Sequence, residues 1–155
     1  MKGKILTLIF LGVFLCAPLV SYGDSKDAGT KDEAVAMVKK AIEFIKSNGR
    51  EKAFAEFTDT KGKFIDRDLY IVVYDMSMKC LAHGQKKSMV GQDMIEFKDV
   101  DGKEYIKERL ELIKKSPTAW QGFKFMNPVS KKIEPKEMYL EKFEDLVVGC
   151  GVYKS

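Results

Sequence analysis

Histidine, cysteine and tryptophan are scarce in this sequence. Its 155 residues include one histidine, three cysteines and one tryptophan. Zinc usually takes several histidine or cysteine ligands, so the sequence predicts no metal site. The one histidine, His83, lies three residues after Cys80 on a predicted strand, and the two side chains should therefore point to opposite faces. Because no nucleophile is placed beside a base, we predict no catalytic residues, no cofactor and no enzyme activity.

The chain also lacks a strong excess of either charge. It has 27 lysines and arginines against 23 acidic residues, a formal net charge of +4. Basic and acidic residues are interspersed, whereas nucleic-acid binders concentrate basic residues on one face or segment. At 45% hydrophobic and 32% charged residues, the composition excludes intrinsic disorder. We therefore expect one globular domain with no nucleic-acid partner.

Long hydrophobic runs are missing except at the N-terminus. Lys2 and Lys4 precede an uncharged apolar run over residues 5–20. This pattern predicts a signal peptide over residues 1–23, cleaved near Gly23-Asp24. An uncleaved membrane anchor is the alternative, but a span needs about 20 residues and Pro18 interrupts the run. We expect a secreted or periplasmic protein, with no stable membrane insertion after cleavage.

The rest of the chain alternates between helical and extended patterns. Residues 24–31 are polar and predict a flexible leader, followed by a single domain over 32–155. Thr30 and Glu33 have capping-box spacing, which predicts a helix start. Apolar periodicity predicts helices over 30–48, 50–57 and 103–115. Aromatic and β-branched runs predict strands over 69–74, 80–83, 119–126, 136–143 and 146–153. The pattern predicts an α+β domain with one antiparallel sheet and helices on one side.

Two glycine-containing motifs imitate ligand loops. Segment 99–102, Asp-Val-Asp-Gly, resembles part of a calcium loop, but its first ligand position falls on Phe97. A turn that caps a helix is the favoured interpretation. Gly149-Cys150-Gly151 lies within a predicted strand with no helix after it, which excludes a phosphate loop. Its glycines indicate close backbone packing or a ligand that approaches the sheet.

Seven short segments, taken in order, resemble a known family. They are Asp68-Leu-Tyr-Ile-Val-Val-Tyr-Asp75, Leu81-Ala-His-Gly84, Val90-Gly91, Asp99-Val-Asp-Gly102, 120–128, Glu134-Pro-Lys136 with Tyr139, and Val148-Gly-Cys-Gly-Val-Tyr153. Together they resemble the single Cache domain, type 2. This is an extracytoplasmic ligand-sensing domain of bacterial chemoreceptors and kinases, and it also occurs as a free-standing secreted protein. The resemblance covers residues 32–154.

This resemblance implies a PAS-like fold and a sensory function. The implied fold is a long N-terminal helix behind a five-stranded antiparallel sheet, with the five predicted strands in the order 2-1-5-4-3. The loop and helix between the second and third strands would enclose a small pocket on the other face. The implied ligand is a short carboxylate such as acetate, propionate, lactate or pyruvate. Because no helix follows the last predicted strand, signal transduction or chemotaxis would proceed through a membrane receptor or kinase partner.

Six residues are candidate ligand contacts. They are Tyr74, His83, Trp120, Phe125, Lys136 and Tyr139. Lys136 would grip a ligand carboxylate, and a solvated surface lysine is its alternative. His83 would donate to a carboxylate oxygen, and a hydrogen-bonded structural histidine is its alternative. Tyr74 is a buried phenol that needs a hydrogen-bond partner.

Strand parity divides these candidates. Trp120 has the opposite parity to Phe123 and Phe125, and Tyr139 lies three residues from Lys136. Unless a strand bends, these residues cannot all face one pocket. The family typically has tyrosine and tryptophan where this chain has Phe123 and Phe125. The loss of one hydroxyl predicts a less polar pocket.

Cys80 and Cys150 remain after removal of the predicted signal peptide. An oxidising compartment permits a disulfide. However, the strand order implied by the resemblance places these cysteines two strands apart, farther than a disulfide tolerates. We therefore expect free thiols.

Two other functions compete with a sensor. One is a structural or interaction domain whose pocket is filled by side chains, which Phe123 and Phe125 favour. The other is a small hydrolase that uses His83. No second titratable group is placed to orient that histidine, which argues against a hydrolase.

The mass of the exported protein tests the predicted signal peptide. Because the cleavage pattern precedes Asp24, we expect mass spectrometry of the exported protein to find a chain that starts there. Recovery of the intact 17.6 kDa chain would contradict cleavage and support a retained anchor.

Overall fold

A computed structural model describes residues 28–154; the predicted signal peptide lies outside them. Helix α1 spans Lys31–Asn48 and begins at the predicted capping box. The Glu33 N–H donates to Thr30 Oγ1 and the Thr30 N–H donates to the Glu33 carboxylate, at 3.2 and 2.8 Å. Gly49, with φ of 80°, ends α1, and helix α2 (Arg50–Thr58) follows directly. Among residues 28–154, no helix combines the length and hydrophobicity needed to span a lipid bilayer.

Within residues 28–154, six strands form one antiparallel sheet. They are β1 (Ile65–Asp66), β2 (Leu69–Asp75), β3 (Cys80–His83), β4 (Thr118–Met126), β5 (Ile133–Phe143) and β6 (Leu146–Tyr153). The main path of the sheet is β1-β2-β6-β5-β4, and β3 also pairs with β2, so the predicted order 2-1-5-4-3 is only partly matched. The two-residue β1 was not predicted. It pairs with the start of β2, on the same edge as β3.

Strand β5 starts earlier than predicted and contains Pro135. Proline donates no hydrogen bond, so it is tolerated where a strand lacks a neighbour on one side. Strand β6 ends at Tyr153, which pairs with Lys136, so β6 does not extend as far as Pro135. Pro135 pairs only with Lys124 of β4. The proline therefore lies at a position of β5 that has a neighbouring strand on one side only.

Helices cover both faces of the sheet, so the expectation of helices on one side is wrong. Helices α1 and α2 pack on one face, where Lys31 forms an ion pair with Glu137 of β5. Helix α3 (Tyr105–Lys115) packs on the other face, as the resemblance implies. Every residue of β6 is buried. A strand that is apolar at every position, rather than at alternate ones, requires cover on both faces.

The glycines of β6 allow close packing within the sheet. A Cβ atom at Gly151 would lie 2.6 Å from Lys136 Cε and 2.9 Å from the Glu137 carbonyl oxygen. A Cβ atom at Gly149 would lie 3.0 Å from Leu140 Cδ2. Of the two interpretations of this motif, close packing is the one that these distances support, and Gly151 makes room for the side chain of Lys136.

Gly151→Ala should lower the free energy of unfolding by about 1–3 kcal/mol, because the added methyl group overpacks the space that the Lys136 side chain occupies. Gly122→Ala on β4 is the matched control, since a Cβ there meets no atom within 4 Å. Urea denaturation of both variants measures the difference. Equal stability of the two variants would contradict the close packing around Lys136.

Candidate functional site

A small cavity lies between the sheet and α3. It is lined by Tyr70, Val72, Tyr74, His83, Met89, Tyr105, Arg109, Phe123, Phe125 and Met138. Its volume is only about 10 Å³. That is room for about one water. None of these ten described residues is acidic, and most are aromatic or aliphatic.

Arg109 of α3 contributes a fully buried guanidinium to the cavity. Its Cζ lies 5.1 to 5.4 Å from the ring centroids of Tyr74, Tyr105 and Phe123. Its Nε donates to Gln121 Oε1 at 3.1 Å, whereas neither Nη nitrogen has a hydrogen-bond partner among the described residues. Arginine keeps its charge inside a protein, and burying unpaired N–H groups is costly. The two Nη nitrogens are thus placed to donate to an anion.

Gln121 of β4 holds this guanidinium without neutralising it. Its Nε2 donates to the Tyr105 carbonyl and to the Glu108 carboxylate, both at 2.6 Å. Burial tends to raise the pKa of Glu108, but its contacts with Lys103 and Gln121 outweigh burial and lower the pKa. Lys103 lies 2.9 Å from that carboxylate. The negative charge of Glu108 is thus paired with Lys103, while the positive charge of Arg109 faces the cavity.

His83 closes β3 and lies in the cavity wall. Its Nδ1 accepts the backbone N–H groups of Gln85 and Lys86, at 3.2 and 3.0 Å. The ring proton therefore resides on Nε2. Burial, together with the positive charge of Lys136, lowers the pKa of His83 to about 3. At neutral pH, His83 is uncharged and carries one N–H donor.

Lys136 is buried beside the cavity rather than in its wall. Its Nζ lies 3.8 Å from the ring centroid of Tyr70, a lining residue, and 3.3 Å from the Tyr153 hydroxyl. Among the ion pairs of residues 28–154, none includes Lys136. Burial lowers its pKa to about 7. The alternative of a solvated surface lysine is therefore wrong.

Tyr74 and Phe125 are the other predicted residues that line the cavity. Burial raises the pKa of Tyr74 to about 12, although the positive charge of Arg109 opposes this shift, so the phenol is neutral. The ring of Phe125 lies 6.1 Å from that of Phe123, which stacks on Tyr105 at a centroid distance of 4.6 Å. These rings form an apolar wall around the guanidinium.

Trp120 and Tyr139 do not reach the cavity, which corrects their predicted placement. They lie on the opposite face of the sheet, directly across from each other, with ring centroids 5.5 Å apart. The Tyr139 hydroxyl donates to Glu141, and Lys31 lies 4.8 Å from the Trp120 ring centroid. Strand β5 keeps unbroken register with β4, so residues three apart, such as Lys136 and Tyr139, point to opposite faces.

Arg109 and Gln121 are absent from the six predicted candidates. Arg109 lies four residues from Tyr105 and four from Ile113, so it falls on the apolar side of the predicted third helix. A charged residue on an apolar stripe signals a buried charge. Gln121 offers no comparable signal, because its neighbours on β4 show no regular alternation of apolar and polar residues.

Segment 99–102 is a turn that precedes α3. Asp99 Oδ1 accepts the N–H groups of Asp101 and Lys103, each at 3.0 Å, and Oδ2 accepts that of Lys124. These bonds confirm the turn but not its predicted capping role, because α3 begins at Tyr105, two residues later than predicted, and its N-cap, Glu104, makes no side-chain capping bond. Within residues 28–154, no cluster of three or more histidine, cysteine or acidic side chains is arranged to hold a metal ion.

Cys80 and Cys150 are buried free thiols, as expected. They lie on β3 and β6, with β2 between those strands. Burial raises the pKa of Cys80 to about 11 and that of Cys150 to about 12. Both thiols are therefore protonated and unreactive at neutral pH.

Comparisons with known proteins identify the family. Residues 23–155 match the family model described as Single Cache domain 2. A Cache chemosensory domain studied for carboxylic acid recognition has a TM-score of 0.68 at 19% identity, over 80% of this chain and 92% of that chain. A methyl-accepting chemotaxis protein from Vibrio parahaemolyticus has a TM-score of 0.69 at 23% identity, over 79% and 87%. The periplasmic sensor domain of a chemotaxis protein has a TM-score of 0.64 at 19% identity, over 80% and 90%. The chain therefore belongs to the Single Cache domain 2 family, whose members are sensory ligand-binding domains.

Proposed function

We propose that this protein is an extracytoplasmic sensor that binds a short-chain monocarboxylate in the cavity beneath α3. The observation that carries this proposal is the buried guanidinium of Arg109, which lines a cavity without acidic residues and whose two Nη nitrogens have no hydrogen-bond partner among residues 28–154. A carboxylate offers two oxygens that match the guanidinium fork. The apolar walls suit a short alkyl chain. A structural neighbour described for carboxylic acid recognition has the same fold.

In this proposal, the residues around the cavity have distinct roles. Arg109 binds the carboxylate through both Nη nitrogens. His83 Nε2 and the Tyr74 hydroxyl are further donors, because both groups are neutral and lie in the wall. Lys136 adds positive potential from behind Tyr70. Phe125 contacts the alkyl part of the ligand.

We also propose that the protein is exported and signals through a partner protein. Residues 1–23 direct the chain across the membrane and are removed, so that the sensor acts outside the cytoplasm. The partner is a membrane receptor or kinase that reads the ligand-bound state in chemotaxis or another signalling pathway. Family membership supports the sensory role in general terms.

A structural or interaction domain is the second candidate function. The observation that favours it is the narrowness of the cavity, which has room for about one water. A carboxylate therefore binds only if wall residues move, and Met89, on a single 3-10 turn over Lys87–Met89, belongs to the least regular part of the wall. A domain that never opens would bind no small molecule.

Replacement of Arg109 tests the proposed sensor. We expect Arg109→Met to weaken binding of acetate, propionate, lactate or pyruvate by about 30-fold or more in calorimetric titration, because it removes one partner of a buried charge pair. The free protein should keep or gain thermal stability, since an apolar side chain of similar volume replaces a buried charge.

Arg50→Gln is the matched control. Arg50 is exposed and forms ion pairs with Glu144 and Asp145, so its loss should leave ligand affinity unchanged. If none of the carboxylates binds the wild-type protein, the interaction domain becomes the favoured function. Equal affinity in Arg109→Met and wild type would overturn the role of Arg109.

Ligand affinity should fall as pH rises through about 7. The pKa of Lys136 in the free protein is about 7, and a bound carboxylate favours the charged form and raises that pKa. Between these two pKa values, binding takes up a proton and weakens with rising pH. His83 does not contribute, because its pKa of about 3 lies far below this range.

Calorimetry at pH 6 and 8 measures this dependence. We expect a loss of about three- to tenfold over that interval, and a flat profile in Lys136→Met. Lys142→Met, which removes an exposed charge from the same strand, should retain the wild-type profile. A Lys136→Met profile as steep as that of wild type would assign the pH dependence to another group.

A further inference from the structure

The residue that accepts a hydrogen bond from Arg109 determines whether the guanidinium charge is neutralised within the protein or left for a ligand. We propose that Gln121 is a positioning residue that makes the cavity selective for a carboxylate over the corresponding neutral amide. It holds the Arg109 guanidinium through Nε and leaves its positive charge uncompensated. This inference rests on the proposed function, since it concerns the ligand of the same cavity.

The orientation of the Gln121 amide is fixed by its neighbours. Its side chain is 3% exposed. Its Nε2 donates to the Tyr105 carbonyl and the Glu108 carboxylate, both of which only accept, and its Oε1 accepts from Arg109 Nε, which only donates. A flipped amide would place like groups together at all three contacts. The Gln121 amide therefore holds the guanidinium at Nε and leaves both Nη nitrogens without a hydrogen-bond partner among residues 28–154.

A buried guanidinium is normally paired with a carboxylate, and Glu108 is a carboxylate in the same network. The Gln121 amide lies between them, bonded to both. Glu108 instead pairs with Lys103, and its side chain is 42% exposed. The network thus separates the two charges by one neutral residue. An anionic ligand, rather than Glu108, is left to neutralise Arg109.

Exchange of the two side chains tests this inference with net charge unchanged. The double variant Glu108→Gln and Gln121→Glu moves the carboxylate from the Lys103 side of the network to the Nε of Arg109. The probes are propionate and propionamide, which differ in charge but little in shape. Calorimetry gives both affinities for wild type, for the exchange variant and for the control Glu108→Gln.

In wild type and in Glu108→Gln, we expect propionate to bind at least about 30-fold more tightly than propionamide. In the exchange variant, propionate should lose about 30-fold or more while propionamide changes little, so that the preference disappears. A merely structural role for Gln121 would weaken both probes together. Retention of the wild-type preference in the exchange variant would overturn the inference.

Gln121→Met keeps the test decisive if the exchange variant does not fold. Methionine removes the hydrogen bond to Arg109 Nε without adding charge, so propionate should weaken by about tenfold while remaining preferred over propionamide. Unchanged propionate affinity in Gln121→Met would show that Gln121 does not position Arg109. If the wild-type protein binds neither probe and no other short carboxylate, the proposed function fails. If the wild-type protein binds propionate but the variants do not behave as expected, only the inference about Gln121 fails.

Discussion

The guanidinium of Arg109 carries a permanent positive charge and is fully buried beneath helix α3. Within residues 28–154, it donates a hydrogen bond to the neutral amide of Gln121. The geometry of the cavity follows from that constraint. The rings of Tyr74, Tyr105 and Phe123 lie around the guanidinium, with centroids 5.1 to 5.4 Å from its Cζ. The low polarity of these walls strengthens the attraction between Arg109 and any anion. The same burial destabilises the protein, because removing a charge from water without a carboxylate partner is costly.

Much of the fold follows from local sequence signals. The capping box of Thr30 and Glu33 places the start of α1, and the apolar run of β2 marks a buried strand. Glu144 and Asp145 form the two-residue turn that joins β5 to β6. The sheet order, by contrast, came from the resemblance to a family, because no local signal in a single strand specifies which partner it pairs with across the sheet.

The site was predicted less well, and the reason is physical. Strand parity correctly separated Trp120 from Phe125 and Lys136 from Tyr139, because alternation along a strand is a local property. Arg109 and Gln121 come into contact only when α3 packs against β4. The local sequence around each residue does not predict that packing. A charge on an apolar helix stripe indicates burial, but it does not indicate which partner satisfies it. Helix cover on both faces agrees with the resemblance and with the unbroken apolar character of β2 and β6, although the pattern of elements alone predicted helices on one side.

Lys136 and Glu137 are consecutive residues of β5 that project to opposite faces of the sheet. Lys136 lies next to the cavity, while Glu137 forms an ion pair with Lys31 in the first turn of α1. One planar peptide group links the two residues. Strand β5 therefore connects the surroundings of the cavity to the first turn of α1 through a single peptide group.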